Sequence, residues 1–143
     1  MRVVIIGNGV AGIWTASTLV GYPDVKVEVL TDEDYLYYNR PHLLEYIAGR
    51  IEFEKIFVYP DEWYSKRGIM VRLGEKALAI DPAKKEVALK SGKVSYDMLL
   101  LSTGGEPILP PIKGIEKKGV FTLRSARDAI SIREYARSAR RAV

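Results

Sequence analysis

Hydrophobic residues are grouped along the chain in short runs, and their spacing predicts an alternation of strands and helices. The first run, residues 2–6, is apolar almost throughout, and after a glycine-rich segment residues 13–19 have helical spacing. A second run, residues 25–30, alternates like a strand and ends at an acidic turn. A strand, a helix and a second strand at this spacing predict a parallel βαβ unit at the start of the chain.

The middle of the chain predicts two short helices. Residues 39–49 have a proline in the first turn and end at a glycine, with Leu43, Leu44 and Ile47 on one face. Residues 61–67 form a second helical segment that Gly68 stops, and residues 69–73 follow as a strand.

The second half predicts an antiparallel meander, a buried strand and a final helix. Asp-Pro and Ser-Gly turns separate three extended pieces, at residues 77–80, 86–89 and 94–96. Residues 98–102 are solidly apolar, as expected of a strand that is buried on both faces. The last helix begins at Ser125, with Asp128 placed for a capping box. The predicted fold is therefore α/β: a Rossmann-like parallel sheet flanked by helices, with an antiparallel β-meander as a crossover.

A glycine pattern joins the first strand to the first helix. In the sequence Gly7-Asn8-Gly9-Val10-Ala11-Gly12, the first glycine permits a sharp turn and the second lets backbone N–H groups approach phosphates. The third lets the helix pack closely on the strand. Because the positive end of the helix dipole lies at this turn, the sequence predicts a pyrophosphate-binding site there.

An acidic cluster follows the second strand. Asp32 lies twenty residues after Gly12, where a ribose-binding carboxylate belongs in a dinucleotide-binding unit. Glu33 is the second choice for this role, and a solvated acidic turn is the alternative. A carboxylate here would repel a 2′-phosphate on the bound nucleotide.

Composition excludes several classes of chemistry. The chain has 143 residues, the length of one domain, with no cysteine and one histidine, His42. Disulfides, thiolate ligands and a histidine metal cluster are therefore excluded, and redox chemistry would need an organic cofactor. No apolar stretch is long enough to cross a membrane, and the start lacks the layout of a signal peptide, so a cytoplasmic protein is expected.

The net charge of +4 is confined to one end of the chain. Six of the 22 Lys and Arg residues, but only two of the 18 Asp and Glu residues, lie within residues 124–143. Residues 1–123 therefore carry 16 of each sign and are neutral. A single basic helix is typical of a solvated or partner-facing surface, and nucleic-acid binding is not expected.

These motifs together resemble the flavoprotein pyridine nucleotide-disulfide reductase-like superfamily. The resemblance is greatest to its cysteine-free branch, which includes NAD(P)H:rubredoxin oxidoreductases, ferredoxin reductases and the flavin part of NADH-dependent nitrite reductases. Four segments carry it: residues 7–12; residues 37–49, with Tyr-Tyr-Asn-Arg-Pro-His-Leu; residues 96–107, with Leu-Leu-Leu-Ser-Thr-Gly-Gly; and residues 119–129, with Gly-Val-Phe-Thr-Leu-Arg.

The resemblance implies FAD as the cofactor and a role for each matching position. The backbone of Gly9, Val10 and Ala11 would hold the FAD pyrophosphate, with the Arg40 guanidinium as a partner, and Asp32 would bind the adenosine ribose. Ala77 would meet the adenine through its backbone, and Thr103-Gly104 would let the chain pass close to the cofactor. No side chain is implied as catalytic or as a metal ligand. The implied binding residues are Gly7, Gly9, Val10, Ala11, Gly12, Asp32, Glu33, Arg40, Pro41, Ala77, Thr103 and Gly104.

The implied activity is electron transfer from NAD(P)H through FAD to rubredoxin, ferredoxin, oxygen or a similar acceptor. The family continues with a second glycine-rich unit for NAD(P)H, so residues 1–143 are expected to form one incomplete FAD domain, with the NAD(P)H domain starting near residue 142. The alternatives are an FAD-binding small subunit of a larger dehydrogenase, and a stand-alone module that binds NAD or ADP. A sheet edge left uncovered would favour a homo-oligomer.

Overall fold

The computed structural model describes residues 1–143. The chain divides into two units, residues 1–38 with 59–104, and residues 39–58 with 105–143. A short 3-10 helix at Phe53–Ile56 was not predicted. The strands are β1 Arg2–Ile6, β2 Lys26–Leu30, β3 Ile69–Arg72, β4 Ala79–Asp81, β5 Glu86–Leu89, β6 Gly92–Ser95 and β7 Met98–Leu101. The α-helices are α1 Val10–Leu19, α2 His42–Ile47, α3 Asp61–Arg67 and α4 Ala126–Ala136.

The first unit contains a parallel sheet of four strands in the order β3-β2-β1-β7. In the register of this sheet, Ile6 at the end of β1 pairs with Leu30 of β2 and with Leu101 of β7. The carboxyl ends of three strands therefore meet at one edge, and the segments that follow them lie side by side. Strands β4, β5 and β6 form a separate antiparallel sheet, which is the predicted meander.

Alternation along β1 determines what covers each face of the parallel sheet. Val3 and Ile5 belong to a buried cluster that includes side chains of α1 and α3, such as Ile13. Val4 and Ile6 belong to a second cluster, which contains the buried side chains of the meander. The helices α1 and α3 thus cover one face and the meander covers the other, which confirms the predicted α/β class.

Strand β7 departs from the prediction of a strand buried on both faces. It pairs with β1 alone and forms an edge of the sheet, and Met98 and Leu101 remain 57% and 60% exposed. An apolar run predicts a strand but carries no information on whether a neighbour covers it. The edge position is set by the order of strands, which depends on contacts distant in sequence.

The second unit contains α2, the 3-10 helix and α4. The predicted capping box is present: the Asp128 N–H donates to Ser125 Oγ at 3.2 Å, and the Ser125 N–H donates to Asp128 Oδ2 at 2.8 Å. The Arg133 guanidinium lies 4.3 Å from the centre of the Tyr46 ring, which accounts for an arginine on the otherwise apolar stripe of α4. Leu43 is buried on α2, whereas Leu44 is exposed, so the predicted common face was wrong for Leu44.

A buried carboxylate links three strands of the parallel sheet. Glu28 on β2 is 5% exposed, and its two oxygens each lie 2.6 Å from a guanidinium nitrogen, Oε2 from Arg2 Nη2 and Oε1 from Arg72 Nε. Arg2 lies on β1 and Arg72 on β3, so the carboxylate joins both neighbours of its strand. The arginine side chains are 40% and 35% exposed and keep contact with water.

We expect Glu28→Gln to lower the free energy of unfolding by about 1–3 kcal/mol, because the substitution removes hydrogen bonds between charged groups at a buried position. Urea denaturation measures the change. Glu86→Gln is the matched control, since Glu86 pairs with Lys93 at 3.1 Å on the surface, where ion pairs contribute about 0–1 kcal/mol. Equal losses in the two variants would contradict a special role for the buried carboxylate.

An aromatic cluster packs α3 against the sheet. The Tyr59 and Trp63 rings are stacked, with centroids 3.9 Å apart, and Tyr64 meets both rings edge-on. Tyr64 is 4% exposed. Burial raises the pKa of its hydroxyl from the ordinary value of about 10 to about 12, while the backbone of Tyr37 acts in the opposite direction.

The raised pKa of Tyr64 predicts a loss of stability in alkali. Since the folded-state pKa lies above the unfolded value, the contribution is fully present below about pH 10 and is lost as pH rises towards about 12. We therefore expect the free energy of unfolding to fall less steeply in Tyr64→Phe than in the wild type across this range. Tyr22→Phe, at a residue that is 61% exposed, should follow the wild-type profile. Urea denaturation at each pH measures the free energy of unfolding. The same dependence on pH in all three proteins would contradict a raised pKa for Tyr64.

Candidate functional site

The turn between β1 and α1 approaches the limit of close packing. The Gly7 N–H donates to Leu30 O at 2.8 Å, and Gly7 has a φ of +116°, which favours glycine. A Cβ on Gly7 would lie 2.2 Å from Ser102 O, and a Cβ on Gly12 would lie 2.0 Å from Gly7 O. Both glycines are therefore required by the fold, because the neighbouring atoms belong to the backbone and cannot move aside.

The helix α1 begins at this turn without a cap. Gly9 is the N-cap residue and has no side chain to offer, and the first turn contains no acidic residue. The first backbone bond of the helix runs from the Ile13 N–H to Gly9 O at 3.0 Å. The N–H groups of Val10, Ala11 and Gly12 consequently have no partner within the helix.

Solvent reaches the uncapped end, because Val10 and Ala11 are exposed. Unpaired N–H donors and the positive end of the helix dipole together suit an anion such as a diphosphate. The geometry of residues 7–12 thus fits the pyrophosphate group of a dinucleotide.

The segment after β7 lies against the same turn. The Ser102 N–H donates to Ile6 O at 2.8 Å, and the Ser102 hydroxyl lies within hydrogen-bonding distance of Ile6 O and Gly7 O, at 3.1 and 3.2 Å. Thr103 and Gly104 follow directly and are exposed, and Gly104 has a φ of +72°. The structure therefore brings these two predicted site residues to the edge that carries the glycine turn.

The two acidic candidates after β2 differ in their surroundings. Asp32 is exposed, whereas Glu33 is partly buried and its carboxylate accepts a hydrogen bond from the Tyr38 hydroxyl. The backbone around them is held to the segment after β3, since the Gly74 N–H donates to Glu33 O at 3.0 Å and the Glu75 N–H donates to Thr31 O at 2.7 Å. Both carboxylates therefore lie on a backbone segment that hydrogen bonds hold to the segment after β3.

The remaining candidates belong to other segments of the chain. Ala77 is in the irregular segment between β3 and β4, where it packs against the apolar cluster beneath the meander. Arg40 and Pro41 belong to the second unit, directly before α2. Pro41 is the N-cap residue of that helix, and Arg40 O accepts the Leu43 N–H at 3.0 Å.

Sequence reasoning missed Asn8, the residue between the first two motif glycines. Its Nδ2 donates to Tyr35 O at 3.0 Å and so ties the glycine turn to the segment after β2. Its Oδ1 is buried and has no hydrogen-bond partner in the structure. The only signal in the sequence is a polar residue inside a glycine motif, because the contact to Tyr35 spans 27 residues.

No group of three His, Cys, Asp or Glu side chains could hold a metal ion. No helix has the length and apolar character needed to span a bilayer.

We expect Gly12→Ala to lower the free energy of unfolding by about 3 kcal/mol, the upper end of overpacking costs, because the added methyl meets the Gly7 carbonyl. Gly105→Ala is the control, since a Cβ there has nothing within 4 Å, and it should change stability by less than about 0.5 kcal/mol. Urea denaturation compares the two variants. A Gly12→Ala protein as stable as the control would show that the close approach is not needed.

Comparison with known proteins gives matches over nearly the whole chain. The family model described as "Pyridine nucleotide-disulphide oxidoreductase" matches residues 1–143. The chain is 34% identical to an NADH oxidase of Methanocaldococcus jannaschii, over 94% of this chain and 32% of the relative. It is 36% identical to an NADH-rubredoxin oxidoreductase of Clostridium acetobutylicum, over 93% of this chain and 35% of the relative. The chain therefore spans about one third of the length of these relatives.

A solved structure gives the same result. The water-forming NADH oxidase of Lactobacillus brevis matches 99% of this chain, and 33% of its own length, with a TM-score of 0.88 and 28% identity. FAD is the cofactor of the matching family, so the cofactor that the resemblance implied is confirmed at the level of the family. The chain belongs to the pyridine nucleotide-disulphide oxidoreductase family.

Proposed function

We propose that the chain is the FAD-binding part of an oxidoreductase that takes electrons from NAD(P)H and passes them through FAD to an acceptor. The observation that carries the proposal is the uncapped N-terminus of α1, held next to the ends of β2 and β7 by Gly7 and Gly12. This arrangement offers backbone donors to a diphosphate at the edge where a dinucleotide binds in parallel sheets.

Each predicted residue has a binding or orienting role in the proposal. The N–H groups of Val10 and Ala11 bind the diphosphate, Asp32 binds a ribose hydroxyl, and the exposed backbone of Thr103 and Gly104 leaves room for the cofactor. The Arg40 guanidinium adds a positive charge for the phosphates.

Glu33 and Ala77 complete the proposed set. The Tyr38 hydroxyl holds the Glu33 carboxylate beside Asp32, and the Ala77 backbone meets the adenine. FAD supplies the electron-transfer chemistry when it is bound, and the chain supplies binding and orientation. No side chain is given an acid or base role.

The proposal names the electron donor and the electron acceptor only by class. The matched relatives carry names with different acceptors, including an NADH oxidase, an NADH-rubredoxin oxidoreductase and a nitrite reductase (NADH) large subunit. We therefore leave the acceptor as rubredoxin, ferredoxin, oxygen or a similar species. We place the nicotinamide site in a second domain that would begin near residue 142, or on a partner subunit.

Titration of the purified chain with FAD and with NAD tests the proposal. We expect FAD to bind and to be released unchanged on heating, and Asp32→Ala to weaken binding about tenfold, as for a lost hydrogen bond to a charged group. Asp61→Ala, which removes an exposed carboxylate from α3, is the control and should bind FAD like the wild type.

Two outcomes would contradict the proposal. A chain that binds only NAD or ADP would be the stand-alone nucleotide-binding module. Rapid reduction of bound FAD by NADH in the 143-residue chain would contradict the placement of the nicotinamide site on another domain or subunit.

A further inference from the structure

The two polar atoms of the Asn8 side-chain amide differ in their hydrogen bonding: Nδ2 has a partner and Oδ1 has none. Its Nδ2 donates to the Tyr35 carbonyl at 3.0 Å. A carbonyl oxygen only accepts, so the NH2 group must face it and the amide cannot be turned around. The atom that remains is therefore the carbonyl oxygen Oδ1, which is buried and has no donor in the structure.

A buried amide oxygen without a donor is costly, because burial removes it from water and gives no bond in exchange. The position of Asn8 restricts which donor could reach it. Asn8 lies between Gly7 and Gly9, within the turn that would hold the diphosphate, and the Tyr35 contact places it beside the segment after β2.

Most groups of a bound nucleotide cannot pair with Oδ1. Phosphate oxygens accept hydrogen bonds, so they face the N–H groups of α1 rather than another acceptor. The donors on an adenosine diphosphate are the two ribose hydroxyls and the adenine amino group. The ribose is the nearer choice, because Asp32 and Glu33, the candidate ribose ligands, belong to the same segment as Tyr35.

We propose that Asn8 is a ligand-binding residue: nucleotide binding uncovers Oδ1, which solvent does not reach in this structure, and Oδ1 then accepts a hydrogen bond from a hydroxyl of the adenosine ribose while Nδ2 remains on Tyr35 O. The inference rests on the proposed function and adds a residue to it. Two ribose hydroxyls would then meet two kinds of acceptor, a carboxylate and the Asn8 amide. Asn8 would therefore discriminate against a nucleotide that lacks the one ribose hydroxyl it binds.

A ligand-by-residue cycle tests this contact without any measurement of activity. ADP, 2′-deoxy-ADP, 3′-deoxy-ADP and inosine diphosphate are titrated calorimetrically into the wild type and Asn8→Ala. We expect Asn8→Ala to weaken ADP binding about threefold to tenfold, as for one neutral hydrogen bond. The variant should bind one of the two deoxy analogues as well as the wild type does, because the lost partner is already absent there.

Two further variants keep the result interpretable. Asn8→Ser keeps a small polar residue that suits a turn, and its hydroxyl is too short to replace the amide, so it should repeat the pattern if Asn8→Ala does not fold. Thr18→Ala, on an exposed position of α1, should leave binding of all four ligands unchanged.

Each other result has a definite meaning. Equal weakening of all four ligands would overturn the proposal and leave Asn8 a structural part of the turn. Loss of the Asn8 effect with inosine diphosphate alone would overturn it in favour of the adenine amino group, and no weakening of ADP would also overturn it. Failure of the wild type to bind ADP would instead reject the proposed function itself.

Discussion

The close approach of Gly7, Gly12 and Ser102 determines the rest of the first unit. Three backbone segments meet where β1 ends. A methyl group added at Gly7 would lie 2.2 Å from a backbone oxygen, and one added at Gly12 would lie 2.0 Å from another. Because α1 starts directly at this contact, its N-cap position falls on Gly9, which has no side chain to cap the helix. The unpaired donors at the start of α1 are thus a consequence of packing.

The same packing explains why the candidate residues come from distant parts of the sequence. The parallel register aligns the ends of β1, β2 and β7, so residues near positions 8, 32 and 103 gather at one edge. The buried Glu28 on β2 joins Arg2 and Arg72 and holds the strands together on the face that the meander covers. The stabilising ion pairs therefore lie within the strands, whereas the candidate binding residues follow the carboxyl ends of the strands.

The features that sequence reasoning predicted well are those with local causes. Gly68 ends α3 in the left-handed conformation, and Ser125 and Asp128 cap α4, because each depends only on neighbours within a few residues. The exposure of β7, the burial of Glu28 and the contact between Asn8 and Tyr35 depend on the order of strands and on long-range partners. An apolar run or a single polar residue carries no such information.

The hydrogen-bond donors and acceptors of the first unit match those of one half of a dinucleotide. The start of α1 offers donors without partners, and Asn8 and the acids after β2 offer acceptors at the same edge of the sheet. A diphosphate has only acceptors and a ribose carries donors, so one adenosine diphosphate group would satisfy both sets at once. This group is common to FAD and NAD. The fold of the first unit is therefore suited to the half that FAD and NAD share, while the choice of FAD rests on family membership.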